Sequence, residues 1–276
     1  MQIRKIYAVY FSPVGSTGKV TEAVAGVIAG KLGIPAETID FTLPENRGGG
    51  WTFDRDELVV FGTPTYAGRV PNKALPFVQN LFHGDQTPAI PVVTFGNRNF
   101  DSSMTELKDE LEKNRFCPFA AGAFAARHVF SQTIAAGRPD AKDMEILHAF
   151  AEKAAAKLLA AQDADALTRP VIRGGEPVAP YYVPKGLDGQ PAKFLKAKPK
   201  TDPDLCDGCG TCAEACPMGS ISRENTAEVT GICIKCQACV RLCPKGAKYF
   251  DDPAFLSHVA MLEKNFQRRA EPETFL

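Results

Sequence analysis

The chain has 276 residues, room for one or two domains, and 45% of them are hydrophobic, an ordinary share for a globular protein. Lys plus Arg equals Asp plus Glu at 32 each, so no overall field favours nucleic acid or an anionic membrane. No apolar run approaches the ~20 residues that span a bilayer, and residues 1–11 form a β-type run, not a charged segment leading into an apolar signal core; the expectation is a cytoplasmic protein with reduced thiols.

Residues 3–10 read as a buried strand rich in Ile, Val and Tyr, running into the loop Phe11-Ser12-Pro13-Val14-Gly15-Ser16-Thr17-Gly18-Lys19. Val20, Ala23, Val24, Val27, Ile28 and Leu32 then recur at helical spacing. Strand, glycine–hydroxyl loop and helix N-terminus make a phosphate cradle, because free N–H groups and the helix dipole favour an anion. A nucleoside triphosphate loop is rejected: Pro13 stands where its first Gly belongs and Val20 where its magnesium-binding hydroxyl belongs. No G-x-G-x-x-G dinucleotide fingerprint occurs in the chain.

A second buried strand, 58–62, ends in Thr63-Pro64-Thr65-Tyr66-Ala67-Gly68-Arg69-Val70-Pro71, and a third, 89–95, ends in Gly96-Asn97-Arg98-Asn99-Phe100-Asp101. In an open parallel sheet, ligands sit at the carboxyl ends of such strands. Tyr66 and Phe100 suit an aromatic cover for a flat ring, and Gly68, Gly96 and Asn97 suit close backbone approach at its edges. Strands over 34–41 and 116–124 and helices over 71–82, 102–114 and 140–161 complete an α/β unit, a doubly wound parallel five-stranded sheet over residues 1–165. Trp51 reads as a lid over the sheet edge, and Cys117 as a small buried apolar residue. The long connection 125–139 carries His128, the candidate catalytic residue, since loops at this edge carry function.

Residues 166–198 form a proline-rich connector whose Tyr181, Tyr182, Val183, Phe194 and Leu195 suggest packing along a surface. Its lysines are read as a solvated face or as a docking site for an acidic redox partner. The segment 199–252 holds eight of the nine cysteines, in two runs 27 residues apart: Cys206, Cys209, Cys212 and Cys216-Pro217, then Cys233, Cys236, Cys239 and Cys243-Pro244. Structural zinc prefers paired C-x-x-C units across a longer gap, disulfides imply secretion, and the C-x-x-x-C-x-x-C triplet of radical enzymes is absent. The doubled C-x-x-C-x-x-C-x-x-x-C-P run is the bacterial ferredoxin arrangement for two 4Fe–4S clusters. Residues 253–276 read as a helical tail covering one domain or a second copy of the chain, which leaves a homodimer open.

These features resemble the flavodoxin–ferredoxin fusion family over nearly the whole chain. Ser12, Gly15 and Thr17 match the flavodoxin phosphate loop S-x-T-G-x-T, while Val14 replaces a hydroxyl and Pro13 has no N–H to donate. The resemblance implies a flavodoxin-like domain that binds FMN, followed by a small α+β ferredoxin-like domain. It places the phosphate on Ser12, Val14, Gly15, Ser16 and Thr17, and the rest of the cofactor against Thr63, Pro64, Thr65, Tyr66, Ala67, Gly68, Gly96, Asn97, Phe100 and Asp101. It gives one cluster to Cys206, Cys209, Cys212 and Cys243 and the other to Cys216, Cys233, Cys236 and Cys239, each run lending its fourth cysteine to the other's cluster. The function implied is an electron-transfer flavoprotein of an anaerobic or low-oxygen cytoplasm, with a ferredoxin, a reductase or a small-molecule acceptor as partner. The alternative is an FMN-dependent reductase of a small organic substrate, fed by its own clusters. With no nicotinamide fingerprint, direct oxidation of NAD(P)H is not expected.

Overall fold

Buried apolar runs alternate with amphipathic stretches to give β1 (Lys5–Tyr10), α1 (Ser16–Leu32), β2 (Ala36–Asp40), β3 (Trp51–Phe53), β4 (Glu57–Pro64), α2 (Leu75–Leu81), β5 (Phe82–Gly84), β6 (Thr87–Phe95), α3 (Ser103–Lys113), β7 (Phe116–Pro118), β8 (Ala121–Ala125) and α4 (Ala141–Ala160). A computed structural model describes residues 1–173 and 176–276; residues 174 and 175, inside the expected connector, lie outside it.

Strands β2, β1, β4, β6 and β8 lie side by side in that order, every neighbouring pair parallel. This is the flavodoxin-like order, whose switch point falls between β1 and β4. Both faces of the sheet are covered, so its central strands are apolar throughout. Val9, Val59, Phe61 and Val93 pack toward Val78 of α2 and Met104, Leu107 and Leu111 of α3. The alternate residues Ile6, Leu58, Val60, Ile90 and Val92 pack on the other side, with Val20, Val24 and Ile28 of α1 and Leu147, Phe150 and Ala151 of α4. The period of two along each strand thus divides one apolar run between two cores.

The expectation of five parallel strands needs correction. The sheet has seven strands and is mixed. The fifth expected strand breaks at Phe119 and Ala120, so that β7 and β8 pair separately with β6. The other addition comes from the far end of the chain, and it runs antiparallel.

That end is built from β9 (Lys200–Thr201), α5 (Thr211–Glu214), α6 (Ala238–Arg241), β10 (Lys248–Tyr249), α7 (Pro253–Asn265) and β11 (Glu273–Phe275). The segment read as a helical tail is helical only to Asn265; its last residues pair β11 antiparallel with β8 and close the open edge of the sheet. Arg269 Nη2 donates to Asp143 Oδ1 at 3.0 Å, which ties the tail to the first turn of α4.

The connector lies against the loops after β4 and β6. Tyr182 N donates to Ala67 O at 2.8 Å, Tyr181 Oη to Val70 O at 2.9 Å, and Ala179 N to Ser102 Oγ at 3.0 Å. Arg69 stacks over the Tyr181 ring at 4.8 Å and Arg98 over Tyr182 at 4.2 Å. Trp51, expected as a lid over the sheet edge, stacks on Phe82, ring centroids 4.9 Å apart, in the two-stranded β3–β5 ladder. Cys117 is half-buried, and burial raises its thiol pKa.

Candidate functional site

The loop after β1 shapes the first part of the site. Gly15 adopts a left-handed conformation at φ 82° and its N–H donates to Ser12 O at 3.1 Å. Ser12 Oγ accepts from Gly18 N at 2.9 Å, and Thr17 Oγ1 bonds Thr94 Oγ1 at 2.7 Å. The Ser12 and Thr17 side chains are thus used to hold the loop. The N–H groups of Ser16 and Thr17 open α1 and have no intrahelical acceptor, leaving them and Ser16 Oγ for an anion. Ser12, Val14, Ser16 and Thr17 line a narrow cleft with Pro64, Thr94 and Gly96. Gly15 lies on the other side of the loop, in a shallow depression with Lys19 and Glu22.

The cleft shares Thr65, Tyr66, Gly96, His128 and Val129 with a cavity of about 580 Å³, a size that suits a small ligand. Ala67 and Gly68 line the same cavity at positive φ, 49° and 77°. The turn they form is closed by paired bonds between Tyr66 and Arg69. Arg69 is in turn gripped by Glu106 of α3, with Nε donating to Oε2 at 2.8 Å, while Val70 N donates to the same oxygen at 2.8 Å. Burial pushes the Tyr66 phenol well above its ordinary value, and Cys236 and Cys233 add to the shift.

Not every residue expected at the cofactor lines the cleft or the cavity. Thr63 is buried in the sheet, its Oγ1 without a partner among the described residues. Phe100 packs in the core, its ring 5.6 Å from that of Phe95. Asp101 pairs with Arg98. Asn97, at φ 68°, turns its side chain to the tail: Nδ2 donates to Phe266 O at 2.7 Å and Arg268 O at 2.6 Å, and Oδ1 accepts from Ala270 N at 3.1 Å. Other residues line the cavity in their place, among them Lys73, Tyr181, Tyr182, Phe194, Lys235 and His258. Lys235 lies inside the Cys233-x-x-Cys236 spacing and the aromatic content of the connector hinted at Tyr181, Tyr182 and Phe194, but no motif marks Lys73 or His258.

His128 lines both cleft and cavity. Phe130 N donates to its Nδ1 at 3.1 Å, so its ring proton sits on Nε2. Burial lowers its pKa to about 3, with His258, Arg241 and Arg98 adding to the effect. The ring is therefore a neutral hydrogen-bond donor at physiological pH.

The eight cysteines gather in two sets. Cys206, Cys209, Cys212 and Cys243 line one pocket; Cys216, Cys233, Cys236 and Cys239 line another. Each set surrounds a space and not a point: among the described residues, no three of His, Cys, Asp and Glu converge on a single metal ion. The 27-residue repeat is also a repeat of backbone. Positive φ recurs at Gly208 and Lys235 (73° and 56°), Gly210 and Gln237 (80° and 64°), and Gly219 and Gly246 (57° and 64°). Ser220 N donates to Cys216 Sγ and Ala247 N to Cys243 Sγ, both at 3.3 Å. Burial pushes the Cys239 thiol up to about 12, and Cys233, Cys216 and Cys212 add to it. Thiols crowded this way ionise together only with a cationic core among them. Gln237 Nε2, in the pocket of the second set, is buried with no acceptor among the described residues, a donor suited to an inorganic sulfide. On these observations the residues present fit iron–sulfur clusters, and the cleft and cavity fit a flavin phosphate and ring.

Cys233 belongs to both worlds. It lines the pocket of its own set and, with Ile232, Ile234 and Lys235, the large cavity at the switch point. Arg241, on α6, donates from Nε to Val129 O at 3.2 Å and from Nη2 to Ser131 O at 3.3 Å. Arg47 Nη2 donates to Pro217 O at 2.9 Å, next to Cys216. Cys209, in the other set, is exposed.

Residues 199–222 match the family model described as the 4Fe-4S binding domain. No curated protein matches the chain. Among solved structures, a flavodoxin from the domain Archaea is 13% identical, covers 56% of this chain and 99% of its own, and has a TM-score of 0.42. A flavodoxin of Streptococcus pneumoniae TIGR4 is 17% identical, covers 55% of this chain and 99% of its own, at a TM-score of 0.39. An NADH:FMN oxidoreductase in its apo form is 13% identical, covers 63% of this chain and 96% of its own, at 0.41. Among the described residues no helix is long and apolar enough to cross a membrane.

Proposed function

We propose that the chain is an iron–sulfur flavoprotein that relays electrons between two 4Fe–4S clusters and FMN, to or from a redox partner. Cys206, Cys209, Cys212 and Cys243 would hold one cluster, and Cys216, Cys233, Cys236 and Cys239 the other. Ser16 and Thr17 would take the FMN phosphate on their N–H groups, beside Ser12 and Val14; Thr65, Tyr66, Ala67, Gly68 and Gly96 would take the ring. When bound, the clusters supply single electrons and FMN accepts one or two.

The observation that carries this reading is the place of Cys233, common to the pocket of the second cysteine set and the cavity at the switch point. Ile232 and Ile234 flank it and keep that wall apolar. Arg241 and Arg47 hold the cysteine-bearing segment against the sheet. Exposed Cys209 turns the first set toward solvent, where a ferredoxin or a reductase would approach. A cytoplasmic, low-oxygen setting follows from the same reading. Anaerobic purification with iron, sulfide and flavin quantitation tests it. The expected content is about eight irons and one FMN per chain; iron at that level with no flavin retained in excess FMN overturns the flavin half.

The size of the cavity and the neutral His128 ring on its wall favour a second reading, an FMN-dependent reductase of a small organic substrate. Turnover with a reduced viologen and small acceptors, without a protein acceptor and lost in His128→Ala with FMN retained, would favour it over the relay.

A further inference from the structure

The loops after β4 and β6 supply only part of the large cavity. The rest comes from the loop after β8, the connector, α7 and residues 232–235. Its lining holds the cations Lys73, Arg98 and Lys235 beside Cys233, and no Asp or Glu among the described residues. Two of these cations are already engaged. Arg98 stacks on Tyr182 and pairs with Asp101, and Lys235 Nζ donates to Cys233 O at 3.2 Å. Lys73 is exposed at the rim and takes part in no hydrogen bond or ion pair among the described residues.

Two imidazoles face each other in chemistry. His128 carries its proton on Nε2, because Nδ1 accepts from Phe130 N. His258 bonds Lys185 O through Nδ1 at 2.8 Å, so that nitrogen is the donor and Nε2 is bare. Burial keeps both rings neutral. Phe130, Phe194 and Leu262 add an apolar wall, with Phe194 stacked on His258 at 5.4 Å. Unpaired Lys73 offers an anionic ligand a partner that a neutral or cationic ligand could not use.

We infer that the cavity binds an organic carboxylate with an apolar body, with Lys73 as its counter-ion and the His128 Nε2–H as a hydrogen-bond donor. The inference rests on the reading of this cavity as the flavin site and deepens it, naming the class of small molecule that shares the space.

The test uses the full chain loaded anaerobically with iron, sulfide and FMN. It is titrated with cinnamate and, separately, with the isosteric neutral cinnamamide. Ligand NMR line-broadening reports binding, and the visible flavin band reports proximity to the ring. The expected result is cinnamate bound at least about five-fold more tightly than cinnamamide, with the preference lost in Lys73→Ala and kept in Lys73→Arg. The flavin band shifts with cinnamate. Equal binding of the two, no binding of either, or a preference that survives Lys73→Ala overturns the proposal. Failure of the flavin reading shows separately, as protein that holds no yellow chromophore before any carboxylate is added, on which the NMR titration still reads carboxylate binding.

Discussion

Gly96 and His128 are in such close contact that a Cβ built on Gly96 would stand 2.5 Å from His128 Cδ2 and 3.1 Å from His128 Cα. Both residues line the cleft and the cavity, so an alanine at Gly96 must move the imidazole and the backbone beneath it. Overpacking of this kind costs about 1–3 kcal/mol. Gly96→Ala is expected to lower the unfolding free energy from denaturant titration by that amount and to weaken FMN binding about ten-fold, measured by quenching of flavin fluorescence.

The same histidine gives the fold a pH dependence with a definite sign. Burial holds His128 at about 3 and lowers His258, against an ordinary value of 6.5 for both. Above pH 6.5 the rings are neutral in both folded and unfolded chains and contribute nothing. As pH falls below 6.5 the unfolded chain takes up protons first, so stability is lost. Between pH 7 and pH 5 the loss from His128 is on the order of 1–2 kcal/mol. Denaturant unfolding at the two pH values checks it, and His128→Phe is expected to flatten the difference.

Asn97 ties the tail to the sheet through three hydrogen bonds, to Phe266 O, Arg268 O and Ala270 N. Replacing it with alanine leaves two partly buried carbonyls and a buried amide without this partner, at up to ~1 kcal/mol each, and strains the residue at φ 68°. Asn97→Gly removes the strain and keeps the loss of bonds. Hydrogen exchange over residues 266–276 is expected to quicken in both variants while exchange in β1 and β4 stays slow.

Much of this arrangement was written locally in the chain. The apolar runs at 3–10, 58–62 and 89–95 gave β1, β4 and β6, because central parallel strands have no polar face to confuse the pattern. The cysteine spacing marked two runs of four, because ligand-bearing turns are short, while the exchange of Cys216 and Cys243 between the sets followed only from the resemblance to ferredoxins. The loops after β4 and β6 were legible as an edge, yet Asn97 and Phe100 were assigned to a ring and serve the tail and the core. Side-chain direction at a loop is set by what packs on it, and here that includes residues 266–270 and Phe95. Lys73, Lys235 and His258 come together only through the tertiary fold. The three-residue β11 was illegible because a strand so short has no period.

Arg241 is the link between the cysteine-bearing segment and the loop of His128. Burial lowers its guanidinium to about 10, with Arg127 adding to the effect, and it spends its donors on the main-chain oxygens of Val129 and Ser131. Arg241→Ala leaves the Val129 carbonyl without its donor and Ser131 O with only the 3.4 Å bond from Arg127 Nε, and is expected to destabilise the chain by about 1–3 kcal/mol. Arg241→Lys, with one point charge in place of a planar fork, is expected to recover less than half. Thermal unfolding and hydrogen exchange over residues 127–131 measure both.

In the proposed relay, Cys233 and its set stand between outside electrons and the flavin cavity. Stopped-flow mixing of the anaerobic, fully loaded protein with reduced viologen, followed at the flavin band, tests it most directly. Against a Cys233→Ala/Cys236→Ala variant that retains FMN, the intact chain is expected to bleach at least about ten-fold faster. Equal rates in the two would mean that electrons reach the flavin without passing through the Cys233 set.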